Sequence, residues 1–369
     1  MPSFDIVRKS TPKETFRVKS IIGKYDLQQA EAVEHFQGSI DLPDKWNIGC
    51  IVGHSGTGKT TIARELFGNN IVSGYDYTHD NILDDMPSDC EVNEIAKTLT
   101  SVGFSTPPSW LKPYHVLSNG EKMRCDIARA ILENKNGLFV FDEFTSVVDR
   151  TVAQVSSLAI QKAIRRNGSQ FIAVTCHEDV VDWLMPDWVF DTNKMKFERL
   201  DFEAQKKNRP KLQIDIYKTD KKQYYWNIFR KYHYLSHSFN NAAKVFIAFC
   251  NDSLCGFCAT LPFPHPFKKN TWKEHRTVVL PDFQGIGIGS AFTDAIAQKF
   301  IDNEKCFIST TSNPGLIFSR ARSKKWRTTH IGRKSSGSGS GRIQNKHIKG
   351  STSANRITVS FEYVGTKSV

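Results

Sequence analysis

The chain divides into two patterns of apolar and polar positions. In the first half, the short apolar runs "NIGCIV", "GLFVFD" and "QFIAVT" are bounded by polar or glycine-rich residues and read as buried strands. Helical patterns such as "TIARELF" and "RCDIARAIL" alternate with them, which predicts a mostly parallel α/β sheet. Later the order changes. A strand ("LQIDIYK") and a helix ("KKQYYWNIFRKY") precede a hairpin in "KVFIAFCNDSLCGFCATL", with its turn expected at Asn251-Asp252-Ser253. Strand, helix, strand and helix follow, and "RITVSFEYV" forms a late strand, an α+β pattern. Trp226 and Phe229 are expected on the apolar face of the first helix of this half.

The change of pattern falls within residues 197–213, where Pro210 interrupts a polar run. Domains are therefore expected at 1–204 and 205–369, and 369 residues are enough for about two cores. "KSSGSGSGR", residues 334–342, is expected to be a mobile loop within the second domain.

Charge sharpens the division. Residues 1–205 hold 22 basic and 29 acidic side chains, a net of −7; residues 206–369 hold 28 and 9, a net of +19. The basic excess belongs wholly to the second half, and a field of that size implies a polyanionic partner, nucleic acid first. No apolar run approaches the roughly 18 residues of a membrane span. "MPSFDIVRKSTPKETF" has no signal-peptide core, so a cytoplasmic protein is expected. The eight cysteines then read as thiols. Cys255 and Cys258, three apart on a strand, should point to opposite faces as ordinary buried thiols rather than a metal pair.

Two glycine-rich loops, each between a strand and a helix, carry the candidate chemistry. In the first, Gly53-His54-Ser55-Gly56-Thr57-Gly58-Lys59-Thr60-Thr61 matches the P-loop pattern in full. Its backbone N–H groups would wrap the phosphates of ATP, Lys59 would reach the β and γ phosphates, and the Thr60 hydroxyl would ligate Mg²⁺. "GLFVFDEF" ends a strand in Asp142, placed to hold Mg²⁺ through water, and Glu143, placed to polarise the attacking water. "FIAVTCH" ends another strand in His177, within reach of a γ-phosphate.

These motifs, with Leu117-Ser118-Asn119-Gly120-Glu121, "FVFDE", Asp149 in "SVVD" and His177 in that order, resemble the ATP-binding-cassette (ABC) ATPases over residues 15 to 200. The resemblance implies that Ser118 and Gly120 close over nucleotide bound to a second cassette. One cassette per chain then implies an ATP-dependent homodimer. One element of the family pattern is missing: no glutamine stands in "SGYDYTHDNILDD", where Asp76 or His79 are the substitutes, and Tyr25 is the candidate for adenine stacking. With no membrane domain, a transporter cassette ranks last.

The second loop, Gln284-Gly285-Ile286-Gly287-Ile288-Gly289, lacks the Lys-Ser/Thr of a P-loop and the acidic partner of a dinucleotide fold. With the strand "HRTVVLP" before it and the helix "SAFTDAIAQKF" after it, it resembles the pyrophosphate loop of the GNAT acyltransferases. The resemblance implies acetyl-CoA or another acyl-CoA held by Gln284, Gly285, Gly287, Gly289 and Asn313. Backbone N–H groups at a helix N-terminus suit its diphosphate. The family's thiolate-protonating tyrosine has no counterpart in "NPGLIFSRARSKKW". "KYHYLSHSF", "HPFKK" and "SRARSKKW" resemble the Mom-type branch, which modifies adenine in phage DNA. His233, Tyr234 and His237 are the candidate general bases, with His275 next.

The fold class expected is thus an α/β P-loop ABC ATPase domain followed by an α+β GNAT-fold domain. The leading function is ATP-dependent acylation of a nucleic-acid base. A nucleotide-regulated acetyltransferase of protein or small molecule stands second, and a non-catalytic ATP-gated DNA-binding or sensor protein third.

Overall fold

The computed structural model describes residues 3–27, 32–72, 74–135, 137–208, 211–233, 238–333 and 357–365. Pro210, Tyr234, His237 and the 334–342 segment lie outside the described residues. The chain forms two compact units. The first comprises Met1–Asp76, Asp126–Asp149 and Ile160–Pro210; the second comprises Tyr77–Cys125, Arg150–Ala159 and Lys211–Val369.

In the first unit, strands β1 (Ser3–Ser10) and β2 (Ala32–Ser39) form an antiparallel pair, with Phe4 and Phe36 in the core. The main sheet contains β3 (Ile48–Val52), β4 (Ile71–Val72), β5 (Leu138–Phe141), β6 (Gln170–Thr175), β7 (Trp188–Asp191) and β8 (Lys196–Arg199), in the order β4-β5-β6-β3-β7-β8. All pairings are parallel except β7 with β8. β3 is buried at every position, as its unbroken apolar run requires of a strand covered on both faces. The parallel order reverses around β3, so the loop after it opens at a switch point, where α/β sheets bind ligands.

Among the described residues, the second unit holds one seven-stranded sheet. Its strands are β9 (Ile214–Thr219), β10 (Lys244–Cys250), β11 (Ser253–Pro262), β12 (Thr271–Val279), β13 (Cys306–Thr311), β14 (Trp326–Arg333) and β15 (Ile357–Tyr363), ordered β14-β15-β13-β12-β11-β10-β9. Trp226 and Phe229 are buried on the helix Lys222–Phe229, against Phe257. The β10–β11 hairpin turns on Asn251 and Asp252 alone, both left-handed (φ 46° and 63°); Ser253 already pairs with Cys250. Two positive φ values match the primed turn that a right-twisted hairpin prefers.

The strand order explains a departure from the simple alternation read in the sequence. Register against β10 shifts by one at Cys255, an extra residue between the Leu254 and Gly256 pairings. This bulge resets the alternation, so Cys255 and Cys258 enter the same core cluster rather than opposite faces. Burial pushes the Cys255 thiol up to about 12, and burial together with Glu274 raises that of Cys258. In native protein at pH 8, iodoacetamide followed by peptide mass mapping should label the exposed Cys176 well ahead of Cys255 and Cys258. Equal labelling of all three would contradict the packing.

β12 and β13 lie side by side and parallel, yet pair only at Thr271–Lys273 against Cys306–Ile308. Beyond Lys273 the two strands part. A buried ion pair fills the fork: Arg320 donates to Ser309 Oγ (2.6 Å) and to Glu274 Oε2 (2.8 Å). Burial alone would raise the Glu274 carboxyl, but Arg320 and the Ser309 and Thr277 hydroxyls outweigh it and hold the group below its ordinary value. Past the fork β12 runs on into the 284–289 loop, and the helix Ile288–Ile301 reaches the ion pair through Thr293, whose Oγ1 accepts from Arg320 (3.3 Å).

Candidate functional sites

In the first unit, Gly53, Ser55, Gly56 and Gly58 make up the loop between β3 and the helix Lys59–Phe67, with Ser55 and Gly56 exposed. The loop is braced by the end of β7: His54 N–H donates to Asn193 Oδ1 (2.9 Å), and the Thr57 and Thr192 hydroxyls lie 2.6 Å apart. Lys59 Nζ donates to His54 O (2.6 Å), which bends the ammonium back over the loop. Thr61 Oγ1 accepts from Arg8 (3.0 Å).

Thr60 Oγ1 donates to Asp142 Oδ1 at 3.2 Å, bringing together the hydroxyl at the start of one helix and the carboxylate after β5. An oxygen pair of this kind suits a hard divalent cation such as Mg²⁺. Asp142 Oδ1 also accepts the Glu143 N–H (2.9 Å), and Glu143 sits in the left-handed region (φ 53°) with its side chain exposed. A non-glycine residue held there stores strain of about 1–3 kcal/mol, the kind that clusters at functional sites. His177, half-buried after β6, has its N–H tied to Thr175 Oγ1 (3.2 Å). Asp76 gives its carbonyl to Arg129 (3.1 Å), and Tyr25 is exposed at the end of the helix Phe16–Tyr25.

In the second unit, Ser118 and Glu121 form a reciprocal capping box at the start of the helix Asn119–Glu133. Ser118 N–H donates to Glu121 Oε2 (3.0 Å), and Glu121 N–H donates to Ser118 Oγ (3.3 Å). Ser118 is exposed, whereas Gly120 is buried. His79 Nδ1 pairs with the buried Asp85 (2.8 Å), a bond that raises the imidazole above its usual value.

The 284–289 loop follows the fork between β12 and β13. Gly287 is left-handed (φ 96°) at the N-cap of the helix Ile288–Ile301, and a side chain there would meet open space. The backbone at this point is therefore free to approach a ligand closely. Gly289 packs near Val279. Gln284 differs: its side chain is fully engaged within the protein, donating to Val279 O (2.7 Å) and accepting from Ser105 and Thr106. Asn313 Oδ1 accepts from Leu316 N–H (3.1 Å), capping the helix Pro314–Arg322.

His233 is buried, its ring edge-on to Trp226 with centroids 5.8 Å apart. His275 stands on β12 beyond the last β13 pairing, at a register shift between the Ala259 and Thr260 pairings. Its buried Nε2 has no hydrogen-bond partner among the described residues. Burial, with Arg276 and Lys273 nearby, lowers its imidazole to about 4, so it is neutral at pH 7. Nothing in the sequence marked Ser105, Thr106 or Arg124; polar residues on helical or loop segments read as solvated. Thr192 and Asn193 carried no signal either, since β7, which they follow, pairs with β3 only in the folded structure.

One chain thus carries a P-loop at the switch point of a parallel sheet and a glycine loop after a forked strand pair. The acetyltransferase (GNAT) family model matches residues 178–317. The methionine import ATP-binding protein MetN of Leifsonia xyli subsp. xyli is 30% identical over 177 residues, covering 37% of this chain and 51% of that protein. The chain thus spans about half the length of the curated relative it matches. Among solved structures, cbiO1 from Clostridium perfringens, part of the ABC transporter complex cbiONQ, is 18% identical, covers 51% of this chain and 84% of its own, and gives a TM-score of 0.32. A GNAT family acetyltransferase from Elizabethkingia anophelis with acetyl-CoA bound is 13% identical, covers 41% of this chain and 97% of its own, and gives 0.30. The fold is an α/β P-loop fold in the N-terminal half, where the chain is similar to an ABC import ATPase, and an α+β fold in the C-terminal half, where the GNAT family model matches. Among the described residues, no helix is long and apolar enough to cross a membrane.

Proposed function

We propose that the protein is an acyl-CoA-dependent N-acyltransferase acting on an amine carried by nucleic acid, with a P-loop that binds and hydrolyses ATP in an ATP-dependent homodimer. The transferase reading rests on one observation: β12 and β13 part after three pairs, and the open glycine loop with its helix N-terminus lies at the fork. The N–H groups from Gly287 onward would hold the diphosphate, aided by the positive end of the helix. Acyl-CoA supplies an activated thioester, and the new C–N bond forms as the C–S bond breaks.

The attacking amine must lose a proton. His233, Tyr234 and His237 are the candidate bases, with His275 next: it stands on β12 beyond the last β13 pairing and its ring is neutral at pH 7, but an imidazole lowered to about 4 is a weak base. A nucleic-acid acceptor is supported by the +19 charge of residues 206–369. The exposed Phe318, with the Arg322 guanidinium 3.7 Å from its ring centroid, offers a surface for base stacking. The Mom-type motifs favour a base amine as the target. In the first unit, Thr60 and Asp142 would hold Mg²⁺, Lys59 the phosphates and Glu143 the attacking water.

The test incubates the full chain with ATP, Mg²⁺, labelled acetyl-CoA and either DNA or RNA, then digests the polymer to nucleosides. Label is expected on a nucleoside. Binding should also weaken steeply with salt: five phosphate contacts imply a loss on the order of 100-fold for a fourfold rise. Label confined to protein, with none in either polymer, would overturn the nucleic-acid reading in favour of a protein acetyltransferase.

A further inference from the structure

The second unit contains both the Ser118–Glu121 segment and the 284–289 loop, and buried side chains join them. Arg124, wholly buried on the helix Asn119–Glu133, donates Nε to Gly120 O (2.9 Å), Nη1 to Pro281 O (2.9 Å) and Nη2 to Asp282 Oδ1 (2.8 Å). Two residues past Asp282, Gln284 Oε1 accepts from Ser105 N–H (3.1 Å), Ser105 Oγ (2.7 Å) and Thr106 Oγ1 (3.1 Å). The backbones touch at the same place: a Cβ on Gly285 would fall 2.5 Å from Gly103 Cα.

The loop is therefore built in two parts. Its entry, Pro281 to Gly285, is moulded onto Gly103–Thr106 and Arg124. Its exit at Gly287 is open. A guanidinium that is buried and shared among three acceptors resists displacement, because moving it leaves both itself and Asp282 poorly paired. The Ser118–Glu121 segment and the entry of the 284–289 loop must move together.

We infer that Ser105 and Arg124 are positioning residues that link the Ser118–Gly120 segment to the 284–289 loop: nucleotide contact at Ser118–Gly120 sets the loop entry and tightens binding of acyl-CoA. The inference rests on the proposed reading that the chain binds ATP and acyl-CoA. Linkage makes the effect reciprocal, so each ligand should change the affinity of the other by the same factor, typically 5-fold or more.

Calorimetry on the full chain would measure the Kd of acetyl-CoA with and without a non-hydrolysable ATP analogue and Mg²⁺, and then the reverse titration. Wild type should bind acetyl-CoA about 5-fold more tightly with the analogue present, with a matching factor in the other direction. The double variant Ser105→Ala/Thr106→Val should bring the ratio close to one, and Ser105→Thr should largely restore it. A purely structural role would weaken acetyl-CoA binding equally in both conditions and keep the ratio, which overturns the inference. Arg124→Lys provides a second test, since an ammonium cannot serve three acceptors in the guanidinium geometry. Acetyl-CoA binding with equal Kd in both conditions by wild type would sink the coupling alone. No binding in either condition would remove the acyl-CoA reading with it.

Discussion

Arg320→Ala is expected to lower the free energy of unfolding by about 3–5 kcal/mol, the usual result of stripping one partner from a buried ion pair. Glu274 and Arg320 are both almost wholly enclosed, and the guanidinium also reaches the Ser309 hydroxyl and stacks 4.3 Å from the Trp326 ring centroid. Removal leaves a buried carboxylate at the fork where β12 and β13 part. Chemical denaturation at pH 7 followed by circular dichroism measures the loss. The pH dependence has a definite sign. Because the Glu274 carboxyl is held below its ordinary 4.5, its stabilisation is fully present above that value and is lost as pH falls through the folded-state value. The stability gap between wild type and Glu274→Gln should therefore narrow as pH drops below about 4.5. A gap that is constant from pH 7 to 3 would show that the pair contributes nothing through ionisation.

Glu143→Gln is expected to bind ATP but release phosphate roughly 100-fold more slowly, since a positioned base contributes about 10²–10⁴-fold. Nucleotide that persists should hold two chains together. The variant should elute as a dimer with ATP in size-exclusion chromatography with light scattering, whereas Lys59→Ala, lacking the ammonium beside His54, should stay monomeric. Glutamine can occupy the left-handed backbone at 143 no worse than glutamate, so the fold should survive. Identical elution of the two variants would end the composite-site reading.

Most of the strands were legible because their signals are local. "NIGCIV", "GLFVFD" and "QFIAVT" became β3, β5 and β6, and "RITVSFEYV" became β15. β1, β2, β4, β7, β8 and β14 were not anticipated: they are short or half-exposed, and their residues alternate too weakly to stand out from turns. The turn between β10 and β11 was placed one residue too long. The paired cysteines were assigned to opposite faces because a bulge cannot be seen without the partner strand.

What the sequence determined by itself was the place of the two glycine loops, each between a strand and a helix, because an apolar run, a glycine cluster and a helical pattern are local signals. It also determined the charge asymmetry and the order of the folds. Only the tertiary structure decided what grips those loops. Arg124 meets Asp282 across 158 positions, and Gln284 meets Ser105 across 179. Glu274 finds Arg320 only because β12 and β13 separate around them. Apart from Gln284, each of these side chains, read alone, is an ordinary surface residue. Burial is what turns it into a constraint, and burial depends on which distant segment covers it.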